Sequence, residues 1–216
     1  MFTSEGCSSC PAADELIARI QKTAANKPVY ILSYHIDYWD GLGWKDVFSN
    51  PLFTQRQYEY SKRFTGLMYT PQLIINGSAE FVGSDAAVID KEISSHLAAS
   101  SPTRLTLQAR QESERIAIAY KVSDVTDHKL VIALVRKNAS TYVKRGENEG
   151  RKLSHVQIVH RLDFFNLSTR QGVNNIGIPN GFNTTDWEII GFLQDPNTGA
   201  IDDAARATFL STVSVK

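Results

Sequence analysis

The stretch Phe2-Thr3-Ser4-Glu5-Gly6-Cys7-Ser8-Ser9-Cys10-Pro11-Ala12-Ala13-Asp14 decides the reading of this chain. Phe2-Thr3-Ser4 reads as the tail of a strand. Pro11 suits the first turn of a helix, where its missing N–H costs nothing. Apolar residues at Ala12, Leu16, Ile17 and Ile20 then recur at helical spacing as far as Ala25. A cysteine at a helix N-terminus lies among unpaired backbone N–H groups, at the positive end of the helix dipole. Its thiolate is favoured and its pKa falls. A second cysteine three positions on can close a disulfide with it. The spacing therefore predicts Cys7 as an exposed nucleophile and Cys10 as the buried resolving thiol, working through a mixed disulfide.

Outward from this motif, residues 1–101 alternate strands and helices. Val29–Ile36 is β-rich, and residues 51–64 open on Pro51 as a helix. Gln72–Ile75 is a strand ended by the Asn76-Gly77 turn signal, with Glu80–Val82 as its hairpin partner. Ser84 or Asp85 caps a helix reaching about Ala99. The order β-α-β-α-β-β-α predicts an α/β thioredoxin-like N-terminal domain over residues 1–101. Ser100-Ser101-Pro102 reads as a short linker. Residues 102–216 carry several short strands, among them Leu105–Ala109, Ile116–Tyr120, Leu130–Val135, His155–Val159 and Trp187–Leu193. They predict an all-β, sandwich-like C-terminal domain.

Two cysteines in 216 residues do not make a structural disulfide framework. The 23 basic and 23 acidic residues balance, so charge gives no reason to expect nucleic acid as a partner. No apolar run approaches the roughly 20 residues of a membrane-spanning helix. No signal peptide precedes Phe2, and no motif asks for a cofactor.

Two further segments are placed near the cysteines. Thr70-Pro71 stands directly before a strand, where a cis-proline facing the cysteine pair would offer the Thr70 backbone to a substrate chain. The run Tyr34-His35-Ile36-Asp37-Tyr38-Trp39-Asp40 through Gly43-Trp44-Lys45-Asp46 follows the second strand and lies beyond its carboxyl end. His35 and Asp37 could tune the thiols or move protons, and Trp39 could wall a substrate, so Thr70, Pro71, His35, Asp37 and Trp39 form the candidate substrate-binding set. A structural role for this loop stands beside the functional one. Lys144–Arg151 reads as a solvated turn.

Taken together, the opening motif, His35–Asp40, Gly43–Asp46, Tyr69–Gln72, Gly83-Ser84-Asp85 and Arg145–Arg151 resemble a bacterial family of secreted, thioredoxin-like proteins, the domain of unknown function 1223 family. The resemblance implies a thioredoxin-like fold, a β-rich extension and a periplasmic or secreted location, and it supplies no reaction. The expected activity is thiol–disulfide exchange through Cys7 and Cys10, with a thiol- or disulfide-containing protein or a small thiol as partner. Two alternatives stand against it. One is a non-catalytic binding module on a thioredoxin-like scaffold. The other is a copper carrier using Cys7, Cys10 and His35, since thiolates suit soft metals.

Overall fold

The computed structural model describes residues 1–24, 27–99 and 105–210. By compactness the chain divides into two units. The first holds Met1–Ala99 together with Arg136–His160, and the second holds Ser100–Val135 together with Arg161–Lys216. The expected linker Ser100-Ser101-Pro102 lies outside the described residues.

In the first unit, β1 (Phe2–Thr3) leads through the cysteine loop into α1 (Cys10–Thr23), with a proline in the first turn. Ala13, Leu16, Ile17 and Ile20 form its buried stripe, and they pack with Leu73 and Ile89. Burying a leucine or isoleucine side chain stabilises by roughly 1.5–3 kcal/mol, so this stripe is what anchors α1. Then come β2 (Tyr34–His35), α2 (Pro51–Ser61), β3 (Gln72–Ile75), β4 (Ala79–Val82) and α3 (Ala86–Ala98). Asn50 caps α2 by accepting from the Leu52 N–H, and Asp85 caps α3 by accepting from the Val88 N–H. Asn76 and Gly77 turn β3 into β4 with positive φ at both residues. The sheet order is β2-β1-β3-β4, with β1 parallel to β2 and antiparallel to β3.

The second unit carries β5 (Leu105–Glu112), β6 (Arg115–Val122), β9 (Gln171–Gly177), β10 (Trp187–Gln194), β11 (Ile201–Arg206) and β12 (Thr208–Phe209). Two long strands, β7 (Lys129–Tyr142) and β8 (Lys152–Asn166), begin or end in it. Its sheets run β11-β10-β7-β8 and β12-β5-β6-β9. Leu107, Ile118, Ile132 and Ile189 come from both sheets into one core. β5 alternates buried and exposed residues, as a strand with one wet face must.

These elements overturn the expected thioredoxin-like α/β domain. The chain is mostly β: the described residues form three four-stranded sheets and three short helices. The β-rich run Val29–Ile36 was to supply a full parallel strand. Only Tyr34 and His35 join the ladder with β1, which has two residues itself. Ser33 pairs elsewhere: its N–H donates to the Gln157 carbonyl at 2.8 Å, and its own carbonyl accepts from the Val159 N–H at 2.9 Å. The first unit thus recruits the far ends of β7 and β8 and the turn between them, which sequence order assigned to the second half.

Gly83 marks the tightest approach in the first unit. A Cβ there would stand 3.0 Å from the Pro71 Cβ and 3.2 Å from the Ala13 Cβ. Neither neighbour is the free end of a flexible side chain. Gly83→Ala should therefore lower unfolding free energy by about 1–3 kcal/mol, read as a shift of the urea midpoint without change of slope.

Candidate functional site

Cys10 is the first residue of α1, and a disulfide joins it to Cys7. The loop between them is a tight turn: the Cys7 N–H donates to the Ser4 carbonyl and the Cys10 N–H to the Cys7 carbonyl, both at 3.2 Å. Ser8 and Ser9 at its tip are exposed, whereas Cys7 and Cys10 are both 0% exposed. This corrects the expectation of an exposed Cys7.

Two sets of neighbours surround the loop. On one side lies Thr70, joined to Pro71 by a cis peptide bond. Its carbonyl is 3.8 Å from Cys7 Sγ and accepts a hydrogen bond from Ser9 Oγ at 3.4 Å. Trp39 fixes Thr70 by donating from Nε1 to its Oγ1 at 2.9 Å. Trp39 also packs on Gly6, where any Cβ would meet the Trp39 Cβ at 3.1 Å.

On the other side lies the turn at residues 144–151. The Asn148 side-chain amide donates to two carbonyls at once, Glu5 O and Cys7 O, each at 2.9 Å. Asn148 is 1% exposed, and its own Oδ1 accepts from Arg151 Nη1 at 2.9 Å. Glu147 accepts from the Ser8 N–H at 3.0 Å, and its bonds to Ser8 hold its carboxyl below the usual range. Gly146, at φ +79°, lets the turn sit against Trp44.

Beneath the loop lie five buried ionisable residues. His155 stands between two carboxylates, with Nε2 3.3 Å from Glu5 Oε1 and Nδ1 3.3 Å from Asp14 Oδ2. Trp44 Nε1 donates to Glu5 Oε2 at 2.8 Å, and Thr3 Oγ1 donates to Asp14 Oδ1 at 3.1 Å. The His35 ring meets that of His155 edge-on at 4.8 Å and pairs through Nδ1 with Asp46 Oδ2 at 2.7 Å. Asp46 also accepts from the Glu5 N–H at 2.8 Å. Burial alone would lower the His155 pKa. The contacts with Asp14 and Glu5 outweigh it and raise the value from 6.5 to about 9. Burial pushes the Asp46 carboxyl up, but His35 and the N–H groups of Glu5 and Phe48 hold it below its ordinary 3.8.

The candidate residues read from sequence separate into three places. Thr70, Pro71 and Trp39 meet the cysteine loop. His35 joins the buried charges. Asp37 is tied to α2, where its N–H donates to Thr54 Oγ1 at 3.1 Å. For the copper alternative, both sulfurs are bonded to each other and His35 Nδ1 is engaged by Asp46. Among the described residues, no group of three or more His, Cys, Asp and Glu could hold a metal ion.

Sequence reasoning missed Asn148, Glu5, Asp14 and His155. Asp14 did leave a signal, being an acid on the buried stripe of α1 beside Ala13, Leu16 and Ile17.

The matched family model, for a protein of unknown function (DUF1223), covers residues 1–194. The chain belongs to the DUF1223 family. No curated protein matches this DUF1223 chain. Among solved structures it is similar to a crystal structure of a protein from Agrobacterium tumefaciens, with TM-score 0.73, 24% identity, and coverage of 96% of this chain and 91% of that one. That likeness shows a shared fold. A domain of the outer membrane lipoprotein Omp28 from Porphyromonas gingivalis aligns at TM-score 0.33 and 14% identity, over 52% of this chain and 93% of that one. A β-glucuronidase from Ruminococcus gnavus aligns at TM-score 0.25 and 11% identity, over 49% of this chain and 15% of that one. Neither of the last two carries an argument. No described helix is long and apolar enough to cross a membrane.

Two outcomes follow from this geometry. Asn148→Ala removes the donor of the buried Glu5 carbonyl and leaves the Cys7 carbonyl only the Cys10 N–H, and should destabilise the fold by about 1–3 kcal/mol, while making the disulfide more quickly reducible by dithiothreitol. The raised pKa of His155 has the opposite sign to acid denaturation. Its contribution, of order 3 kcal/mol, is complete below pH 6.5 and is lost as pH climbs through about 9. Urea midpoints measured from pH 6 to 10 should fall across that window, and the fall should vanish in His155→Gln.

Proposed function

We propose that this DUF1223 protein is a thiol–disulfide oxidoreductase that uses Cys7 and Cys10 as its redox pair. The observation that carries the reading is the position of Cys7 Sγ. It lies 3.8 Å from the Thr70 carbonyl, directly ahead of the helix that Cys10 begins. A substrate thiolate attacks Cys7 Sγ, the Cys7–Cys10 bond breaks, and its electron pair stays on Cys10. A second substrate thiol then displaces Cys7 from the mixed disulfide. The substrate leaves oxidised and the pair leaves as a dithiol. The positive end of the α1 dipole favours negative charge on sulfur during both transfers. Since both cysteines are buried, attack requires the contacts of Glu147 and Asn148 to the loop to open. The substrates are exported proteins or small thiols, a detail that rests on the resemblance to secreted proteins.

The same burial favours a second reading, in which the disulfide is a fixed clip of a non-catalytic binding module. Trapping separates the two. In a redox protein, Cys10→Ser should accumulate mixed disulfides through Cys7, and Cys7→Ser should abolish both trapping and exchange with a model dithiol. If folded Cys10→Ser traps nothing, and the wild-type pair stays oxidised against excess dithiothreitol, the clip is the better account.

A further inference from the structure

Gln57 in α2 and Gln72 at the start of β3 are both 0% exposed. A buried amide destabilises the fold unless hydrogen bonds replace the water it gives up. Packing does not explain Gln57. Phe53 and Tyr60, one turn away on the same face of α2, are also buried, and an apolar side chain at position 57 would extend that face. What sets Gln57 apart is what it donates. Its Nε2 gives one hydrogen to the Tyr69 carbonyl at 2.7 Å and the other to Gln72 Oε1 at 3.0 Å. Its Oε1 is buried and, among the described residues, accepts no hydrogen bond. The position tolerates an unpaired acceptor and keeps the two donors. Those donors reach to either side of Thr70-Pro71, the short segment that faces Cys7. The segment is held from other directions as well. Gln72 Nε2 donates in turn to Glu80 of β4, the Pro71 carbonyl accepts from the Gly83 N–H at 2.9 Å, and Trp39 holds Thr70 Oγ1. The Thr70 carbonyl is left turned toward Ser9 and Cys7.

We propose that Gln57 is a positioning residue for substrate: by stapling Tyr69 to Gln72 it fixes the Thr70 edge, and so makes a polypeptide thiol a better substrate of the Cys7–Cys10 pair than a small one. This rests on the redox reading above and deepens it by naming the substrate class. An extended chain laid along Thr70 gains main-chain hydrogen bonds only if the Thr70 backbone stays in one place. A segment free to move loses conformational entropy when a substrate orders it, and that loss weakens binding. Gln57 imposes the order before the substrate arrives. It touches neither sulfur, so it leaves the exchange between them unchanged. A small thiol meets the sulfur alone, lays no chain along Thr70, and gains nothing from the fixed edge.

The test follows opening of Cys7–Cys10 in the full chain by two probes, with rates corrected for the thiolate fraction of each. One probe is dithiothreitol. The other is a short capped peptide with two cysteines, which can likewise complete both transfers. The wild-type rate should saturate with the peptide and, at equal low concentration, exceed that with dithiothreitol. Gln57→Met keeps the length of the side chain and removes both donors. It should raise the peptide concentration at half-maximal rate about tenfold, with the limiting rate and the dithiothreitol rate within about twofold of wild type. A merely structural glutamine would move all of these together, because a loosened fold exposes the sulfurs to any thiol. That outcome, an unchanged half-saturation in folded Gln57→Met, or a wild-type chain that does not prefer the peptide overturns the proposal and leaves the redox reading intact. If Gln57→Met fails to fold, the wild-type chain decides. The same peptide with serine for both cysteines should shift the side-chain N–H resonances of Gln57, and no shift at concentrations that saturate the rate with the cysteine peptide overturns the proposal. A folded wild-type pair that exchanges with neither probe overturns both readings.

Discussion

The side-chain amide of Asn148 holds the candidate site together. Its two hydrogens go to the carbonyls of Glu5 and Cys7, which flank the glycine that Trp39 covers. Without that donor pair, the Glu5 carbonyl would lose its partner and the Cys7 carbonyl would keep only the Cys10 N–H, and the loop would lose its fixed shape. Everything else about the cysteines depends on this grip. In the loop so held, the Cys7 sulfur lies 3.8 Å from the Thr70 carbonyl. Glu5 can reach His155 because its backbone is pinned above the buried charges.

Two kinds of constraint meet at this site. The turn from Arg145 to Arg151 restrains the loop through hydrogen bonds from the Asn148 amide and to the Glu147 carboxylate, which are short-ranged and depend on geometry. The layer below acts through charge. His155 between Glu5 and Asp14, and His35 against Asp46, put two imidazoles and three carboxylates in a region of low dielectric. Such a layer stiffens the unit through its charge pairs. It also makes the unit sensitive to proton activity, because removing one proton from His155 leaves two buried carboxylates with no positive charge between them.

Much of the local structure was legible in the sequence. The helix opened by Pro11, the Asn76-Gly77 hairpin and the cap at Asp85 were all signalled by nearest-neighbour chemistry. The likeness to the family was legible too, because it rests on consecutive motifs. The fold class was misread because Val29–Ile36 has the composition of a full strand, whereas strand pairing is decided by partners far along the chain. Ser33 found its partners at Gln157 and Val159. The candidate site was half legible for the same reason. Thr70 and Trp39 lie in the first hundred residues and could be placed by chain order. Asn148 and His155 come from a segment that reads as an ordinary turn and strand. No local pattern in residues 144–160 announces that they close over Cys7.

That the first compact unit is assembled from two distant stretches has a consequence for biogenesis. Residues 1–99 leave the ribosome well before residues 136–160 exist. During that interval the nascent cysteine loop has no Asn148 above it and no His155 below it. Its thiols are then at their most accessible to cellular oxidants and to other chains. The bond between Cys7 and Cys10 can be set in this window and afterwards enclosed by the late-arriving hairpin, so that the order of synthesis itself separates the period of making the disulfide from the period of guarding it.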